Sequence, residues 1–199
     1  MENNTLSFYN THAQDFINNT VNVEFAGTQD KFLKYLPERG HILDFGCGSG
    51  RDTKYFIEKG CLVDATDGSE ELCKRASVYA GVDVKCMLFN ELNETKVYDG
   101  IWACSSILHL SSIDLKDVFY KMIKAVKSGG YIYTSFKYGT FEGERNGRYF
   151  TDFTEETFKD FITDIPGICI VEQWVSADVR PGRSEEKWLN LILQITDSN

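Results

Sequence analysis

The sequence predicts an α/β domain built on an open, mostly parallel sheet. Short apolar runs at 42–45, 61–66, 82–88, 99–104 and 131–136 alternate with stretches of helical periodicity. Such alternation implies parallel strands covered by helices on both faces. The first run leads straight into Gly46, Gly48 and Gly50 and then into a helical pattern, the strand, turn and helix of a ligand crevice. The tail breaks the rhythm, with two successive strand-like runs at 168–175 and 188–195.

Each element has its own warrant. Phe8, His12, Asp15 and Phe16 share a helical neighbourhood, and Phe25, Phe32, Leu33 and Leu36 make a second stripe, with an irregular connection over 20–27. Pro37 and Gly40 end that stripe before the first strand. A helix over 52–59 stops at Gly60, and the second strand delivers Asp67 to its C-terminal end. Ser69, followed by Glu70 and Glu71, opens a third helix. The third strand ends near Phe89 and Asn90, and the fourth leads into Ser105 to His109. Phe119, Met122, Ile123 and Val126 line the inner face of a helix over 115–126, and Ser128, Gly129 and Gly130 turn the chain into strand five. Residues 137–150 read as a long glycine-rich loop, and Thr154, Glu155 and Glu156 start a last helix that Pro166 and Gly167 end.

A chain of 199 residues with 42% hydrophobic content suits one domain with a full core. The sequence has no apolar run long enough to cross a bilayer and no signal-peptide pattern, so a cytoplasmic location with no membrane is expected. The net charge of −9, without a basic block, argues against nucleic acid as a partner. Six cysteines lack any Cys-x-x-Cys pair and read as reduced thiols, and no metal-ligand spacing is present.

The glycine run narrows the ligand. A dinucleotide fingerprint would place its third glycine at 51, where Arg51 stands, and the ending of a phosphate-binding loop is absent. Asp44 before the glycines suits a cationic amine better than a pyrophosphate. An acid at the end of strand two, here Asp67, accepts hydrogen bonds from ribose hydroxyls in α/β nucleoside sites.

The run Asp44-Phe-Gly-Cys-Gly-Ser-Gly50 resembles the first motif of the class I S-adenosylmethionine-dependent methyltransferases, and the similarity runs from about Asn10 to the C-terminus. Within that class the chain looks like small bacterial methyltransferases labelled tellurite-resistance-like. The resemblance implies a Rossmann-like seven-stranded, mostly parallel sheet with helices on both faces and an antiparallel last strand. It implies a domain over 41–199 with residues 1–40 as its helical cap and S-adenosylmethionine as cofactor; the short chain without an added nucleic-acid module favours a small methyl acceptor, an anionic one if the arginines named below form a clamp. A monomer or homodimer is expected. Cofactor contacts are expected from Asp44, Gly46, Cys47, Gly48, Gly50, Asp67, Gly68 and Cys104, with Asp44 either supporting the amino group directly or orienting the glycine loop. Many relatives carry an aspartate after strand three; Phe89 and Asn90 stand there in this chain, as a ring cover and a polar contact or as packing and a turn.

His109 is the candidate general base, since neutral imidazole is available near pH 7, or else a structural histidine that only shapes the pocket. Arg51 would meet the methionine carboxylate, a substrate anion or solvent. Arg145, Arg148, Arg180 and Arg183 form a candidate clamp for an anionic substrate, with internal ion pairs as the competing account, and Tyr138 is placed beside them. Tyr9 and Tyr149 would close the site or simply pack. Two other functions fit less well: an RNA- or protein-directed methyltransferase, and a scaffold that binds cofactor without turnover.

Overall fold

The computed structural model describes residues 2–196, so residue 1 and residues 197–199 of the two expected segments lie outside the described residues. Helices α1 (Glu2–Thr11), α2 (Ala13–Thr20) and α3 (Ala26–Leu33) come first. Strand β1 (His41–Phe45), α4 (Arg51–Glu58), β2 (Leu62–Asp67), α5 (Glu70–Ala80), β3 (Val84–Cys86), β4 (Tyr98–Ala103), α6 (Ser112–Ala125) and β5 (Val126–Lys137) follow. The chain closes with β6 (Glu142–Arg145), β7 (Arg148–Thr151), α7 (Glu155–Ile162), β8 (Ile168–Ala177) and β9 (Lys187–Ile195).

Seven strands form one sheet in the order β3-β2-β1-β4-β5-β9-β8. Strands β1 to β5 are parallel, and β9 runs antiparallel to both its neighbours, as the sequence predicts. Strand order reverses between β1 and β4, which opens a crevice at their C-terminal ends. Side chains alternate across β1 to build two cores. Ile42 joins Phe32 of α3, Phe56 of α4, Trp102 and Tyr133 on one face, where the Trp102 and Tyr133 rings stack 3.9 Å apart. Leu43 and Phe45 join Phe119 of α6 and Phe158 of α7 on the other. Side-chain caps fix three helix starts. Ser69, Ser111 and Thr154 accept from the amides of Leu72, Asp114 and Thr157.

Four expectations are corrected. Residues 137–150 are not a long loop, because β6 and β7 pair as a hairpin there. Asn146 and Gly147, at φ 53° and 74°, form its two-residue turn, and a twisted hairpin needs positive φ at both positions. The turn expected at 128–130 is a bulge inside β5, where Tyr98 faces Val126 but Gly100 faces Tyr131. Strand β3 is only three residues long. It lies at the sheet edge, and the chain then tightens into a 3₁₀ turn at Phe89–Glu91, where the Glu91 carboxylate accepts from the Leu88 amide at 2.7 Å. Helix α6 also begins earlier than predicted, set by its Ser111 cap.

Candidate active site

A cleft of about 690 Å³ opens at the C-terminal ends of the central strands. Its floor is the backbone of Gly46 to Ser49, pinned at both sides. The amides of Gly46 and Cys47 both donate to the Thr66 carbonyl at 2.9 Å. Gly48 donates to Asp67 Oδ2 and Ser69 to Asp67 Oδ1, each at 2.9 Å. Gly46 sits at φ 84°, and a Cβ there would lie 2.5 Å from the Ser106 Cβ, so side chain and conformation both exclude other residues. Asp67 and Gly68 line the cleft beside this floor, with Phe89 and Cys104 on its walls. Burial pushes the Asp67 carboxyl up, and the backbone amides pull it back. Asn90 is exposed in its 3₁₀ turn and does not line the cleft, which fits the turn role of its two expected ones; the Phe89 ring packs edge-on against Phe45. Burial raises the Cys47 thiol and pushes Cys104 up to about 12, which leaves both protonated at neutral pH.

Asp44 does not reach the cleft. It is buried beneath the loop, where Thr53 donates to it at 2.5 Å, and burial together with the charge of Asp52 raises its carboxyl to about 8. Its place under the glycine loop fits the second of its two expected roles, orienting the loop, rather than direct contact with a ligand amine. Gly50 also lies outside the cleft, at φ 78° against Ala76, where it starts α4. Arg51 lines the cleft but makes a two-point pair with Asp52 at 2.7 and 2.9 Å and stacks on Phe25. Asp52, which sequence reasoning does not single out, is buried and also accepts from Gln29 and from the Trp102 indole. Asp52 follows Arg51 at the helix start, but its other partners come from distant segments and leave no local signal.

Helix α1 and the β6–β7 hairpin form the roof. Tyr9 from α1 lies 2.8 Å from His109 Nε2, and His109 Nδ1 lies 2.6 Å from the Tyr149 carbonyl. A carbonyl only accepts, so Nδ1 carries the proton; in the neutral ring Nε2 then accepts from the Tyr9 hydroxyl. Burial, with the charges of Arg148 and Arg145, lowers the His109 pKa to about 4. That shift predicts a stability effect. In the unfolded chain imidazole protonates near pH 6.5, so stability is intact above that pH and is lost as pH falls towards about 4. Relative to His109→Gln, the wild type is expected to lose up to about 3 kcal/mol between pH 7 and pH 4. Urea unfolding of both proteins across that range measures it, and a constant gap rejects a depressed His109.

All four clamp arginines line the cleft, but three are already committed. Arg145 pairs with Asp152, Arg180 makes a two-point pair with Asp178, and Arg183 pairs with Glu186. Lys137 joins this network through Asp178 and Glu186, and the Trp188 indole donates to Asp178. The group holds the 178–186 loop against the sheet, where Asp178 N bonds Glu186 O at 2.8 Å. Arg148 is the exception. Tyr138 lines the cleft mouth, half-exposed, with its hydroxyl donating to Glu155.

Known proteins share this architecture. Residues 42–130 match the model of a methyltransferase domain family. The ribosomal protein L11 methyltransferase of Campylobacter concisus is 28% identical over 151 residues, covering 72% of this chain and 47% of that protein. This chain thus spans about half the length of the curated relatives it matches. The structure is similar to the 1,6-didemethyltoxoflavin-N1-methyltransferase of Burkholderia thailandensis, solved with 1,6-didemethyltoxoflavin and S-adenosylhomocysteine. That match has a TM-score of 0.78 and 19% identity over 96% of this chain and 87% of that one. The fold is one that solved methyltransferases share. The N-methyltransferase NodS of Bradyrhizobium japonicum, bound to S-adenosylhomocysteine, shares this fold at a TM-score of 0.70 and 14% identity, over 94% of this chain and 98% of that one.

Proposed function

We propose that this protein is an S-adenosylmethionine-dependent methyltransferase acting on a small molecule. The observation that carries the reading is the link between Asp67 and the glycine loop. Each Asp67 oxygen accepts one backbone amide and keeps a lone pair for a ribose hydroxyl, beside a loop whose backbone lines a cleft of nucleoside size. Asp67 would hold the ribose, Gly46 to Gly48 the methionine portion, and Phe89 with Gly68 the adenine. Asp44 and Gly50 would support them by fixing the loop. Bound there, S-adenosylmethionine supplies an electrophilic methyl group to an acceptor in line with its carbon–sulfur bond.

The chain's own part is to exclude water, align the acceptor and take its proton. Tyr9 and His109 form the path: the acceptor's proton passes to the Tyr9 oxygen as the Tyr9 proton passes to His109 Nε2, and then to solvent. Residues 1–40 act as the cap that brings Tyr9 over the cleft. The finer likeness to tellurite-resistance-like methyltransferases rests on sequence resemblance. A reducing compartment such as the cytoplasm suits the six unpaired cysteines.

Calorimetric titration with S-adenosylmethionine, S-adenosylhomocysteine and NAD tests the reading. Micromolar binding of a sulfur nucleoside without NAD binding supports it and justifies a labelled-methyl screen of small acids, RNA and protein. Folded protein that binds neither sulfur nucleoside overturns it.

A further inference from the structure

Of the guanidinium groups lining the cleft, Arg148 is the one without a carboxylate partner among the described residues. Its Nη1 reaches only the Tyr9 hydroxyl, at 3.4 Å, and its Nε is buried with no hydrogen-bond partner. Three rings hold it instead, with Phe8, Phe150 and Tyr9 at 4.4, 5.2 and 5.7 Å from the guanidinium carbon. The hairpin register fixes it further, since Arg145 and Arg148 face each other across the two-residue turn. A partly buried cation whose Nε is shut off from water and which has no acid beside it leaves a charge unpaired, and a bound anion supplies the missing partner.

We propose that the cleft selects an acceptor carrying an anionic group, a carboxylate or comparable oxyanion, which docks on Arg148 beside Tyr9. The word acceptor rests on the methyltransferase reading; the anion site itself does not. The position couples binding to proton removal. Arg148 and Arg145 are the cations that face His109 from the hairpin. Arg145 is already paired with Asp152, and Tyr9 faces His109 from α1. An anion on Arg148 offsets the uncompensated charge, so Nε2 becomes more basic only when an acceptor is in place. Arg180 and Arg183 pair within the 178–186 loop and Arg145 pairs with Asp152, which leaves recognition to Arg148.

The test is calorimetric titration of the wild type and Arg148→Gln, each with and without S-adenosylhomocysteine. The probes are benzoate, benzenesulfonate and phenyl phosphate, with benzamide as the neutral control. At least one anion is expected to bind the wild type about tenfold more tightly than benzamide and to lose that advantage in the variant. Benzamide affinity is expected to be equal in both proteins. Arg148→Lys, which keeps the charge and part of the stem, is expected to retain the preference and serves if the Gln variant fails to fold. No anion preference in the wild type, or a preference that survives Arg148→Gln, overturns the proposal. Intact S-adenosylhomocysteine binding with no anion preference sinks this inference alone. An anion preference without S-adenosylhomocysteine binding sinks the methyl-transfer reading and leaves the anion site standing.

Discussion

Asp67→Ala is expected to weaken S-adenosylhomocysteine binding by about a hundredfold to ten-thousandfold. Two losses add. The ribose hydroxyls lose a charged acceptor, where each hydrogen bond is worth roughly 1.5–3 kcal/mol. The amides of Gly48 and Ser69 lose the carboxylate that now fixes them at 2.9 Å, so the glycine loop loses its tie to β2. Two such bonds alone give about 3–6 kcal/mol, which converts to the quoted range. Calorimetry on folded protein, checked by circular dichroism, measures it. Asp67→Asn separates the losses, because an amide oxygen still accepts one backbone amide while the charge is gone. It is expected to fall between the wild type and the alanine variant. Wild-type affinity in both variants would remove Asp67 from the cofactor site.

The central sheet was legible because local rules and tertiary structure agree there. Residues 42–45 are apolar apart from Asp44, the glycines follow at once, and Ser69 caps α5 as its residue type demands. The hairpin was missed although Asn146-Gly147 is a strong short-range turn signal. Its flanking strands lack a run of apolar residues: β6 reads Glu-Gly-Glu-Arg, so binary patterning pointed to a loop. That miss hid the roof of the site, because the hairpin carries both Arg148 and the Tyr149 carbonyl. The choice between the two roles open to Asp44, and to three clamp arginines, was not readable for another reason. Charge type and strand position place a residue near a cleft, but only packing decides whether a neighbouring acid has already taken it. Arg180 and Asp178 stand two positions apart in sequence, and the loop folds them into a two-point pair.

His109→Ala is expected to lower kcat by about a hundredfold to ten-thousandfold, the usual scale for loss of a positioned base, while S-adenosylhomocysteine affinity stays within about threefold. The asymmetry follows from position. His109 stands at the strand-four exit, beneath the roof and against Tyr9 and Tyr149, whereas the proposed nucleoside contacts lie on the glycine loop and β2. Tyr9→Phe distinguishes two routes for the proton. The ring stays in its aromatic setting against Phe8 and Phe16, and only the hydroxyl between cleft and imidazole is removed. A drop matching that of His109→Ala means that the proton passes through Tyr9. A near-wild-type rate in Tyr9→Phe, with His109→Ala impaired, means that His109 takes it directly. The pH profile adds a check of different kind. With the imidazole held at about 4 in the free protein, kcat/KM should show no acid limb between pH 6 and pH 8. An acid limb near the ordinary histidine value, abolished by His109→Ala, would mean that the roof leaves this imidazole far more solvated than its position against Phe150 and Tyr9 requires. A wild-type rate in His109→Ala would leave the Tyr9–His109 contact as a clasp between α1 and the strand-four exit, and the acceptor's proton would leave by another path.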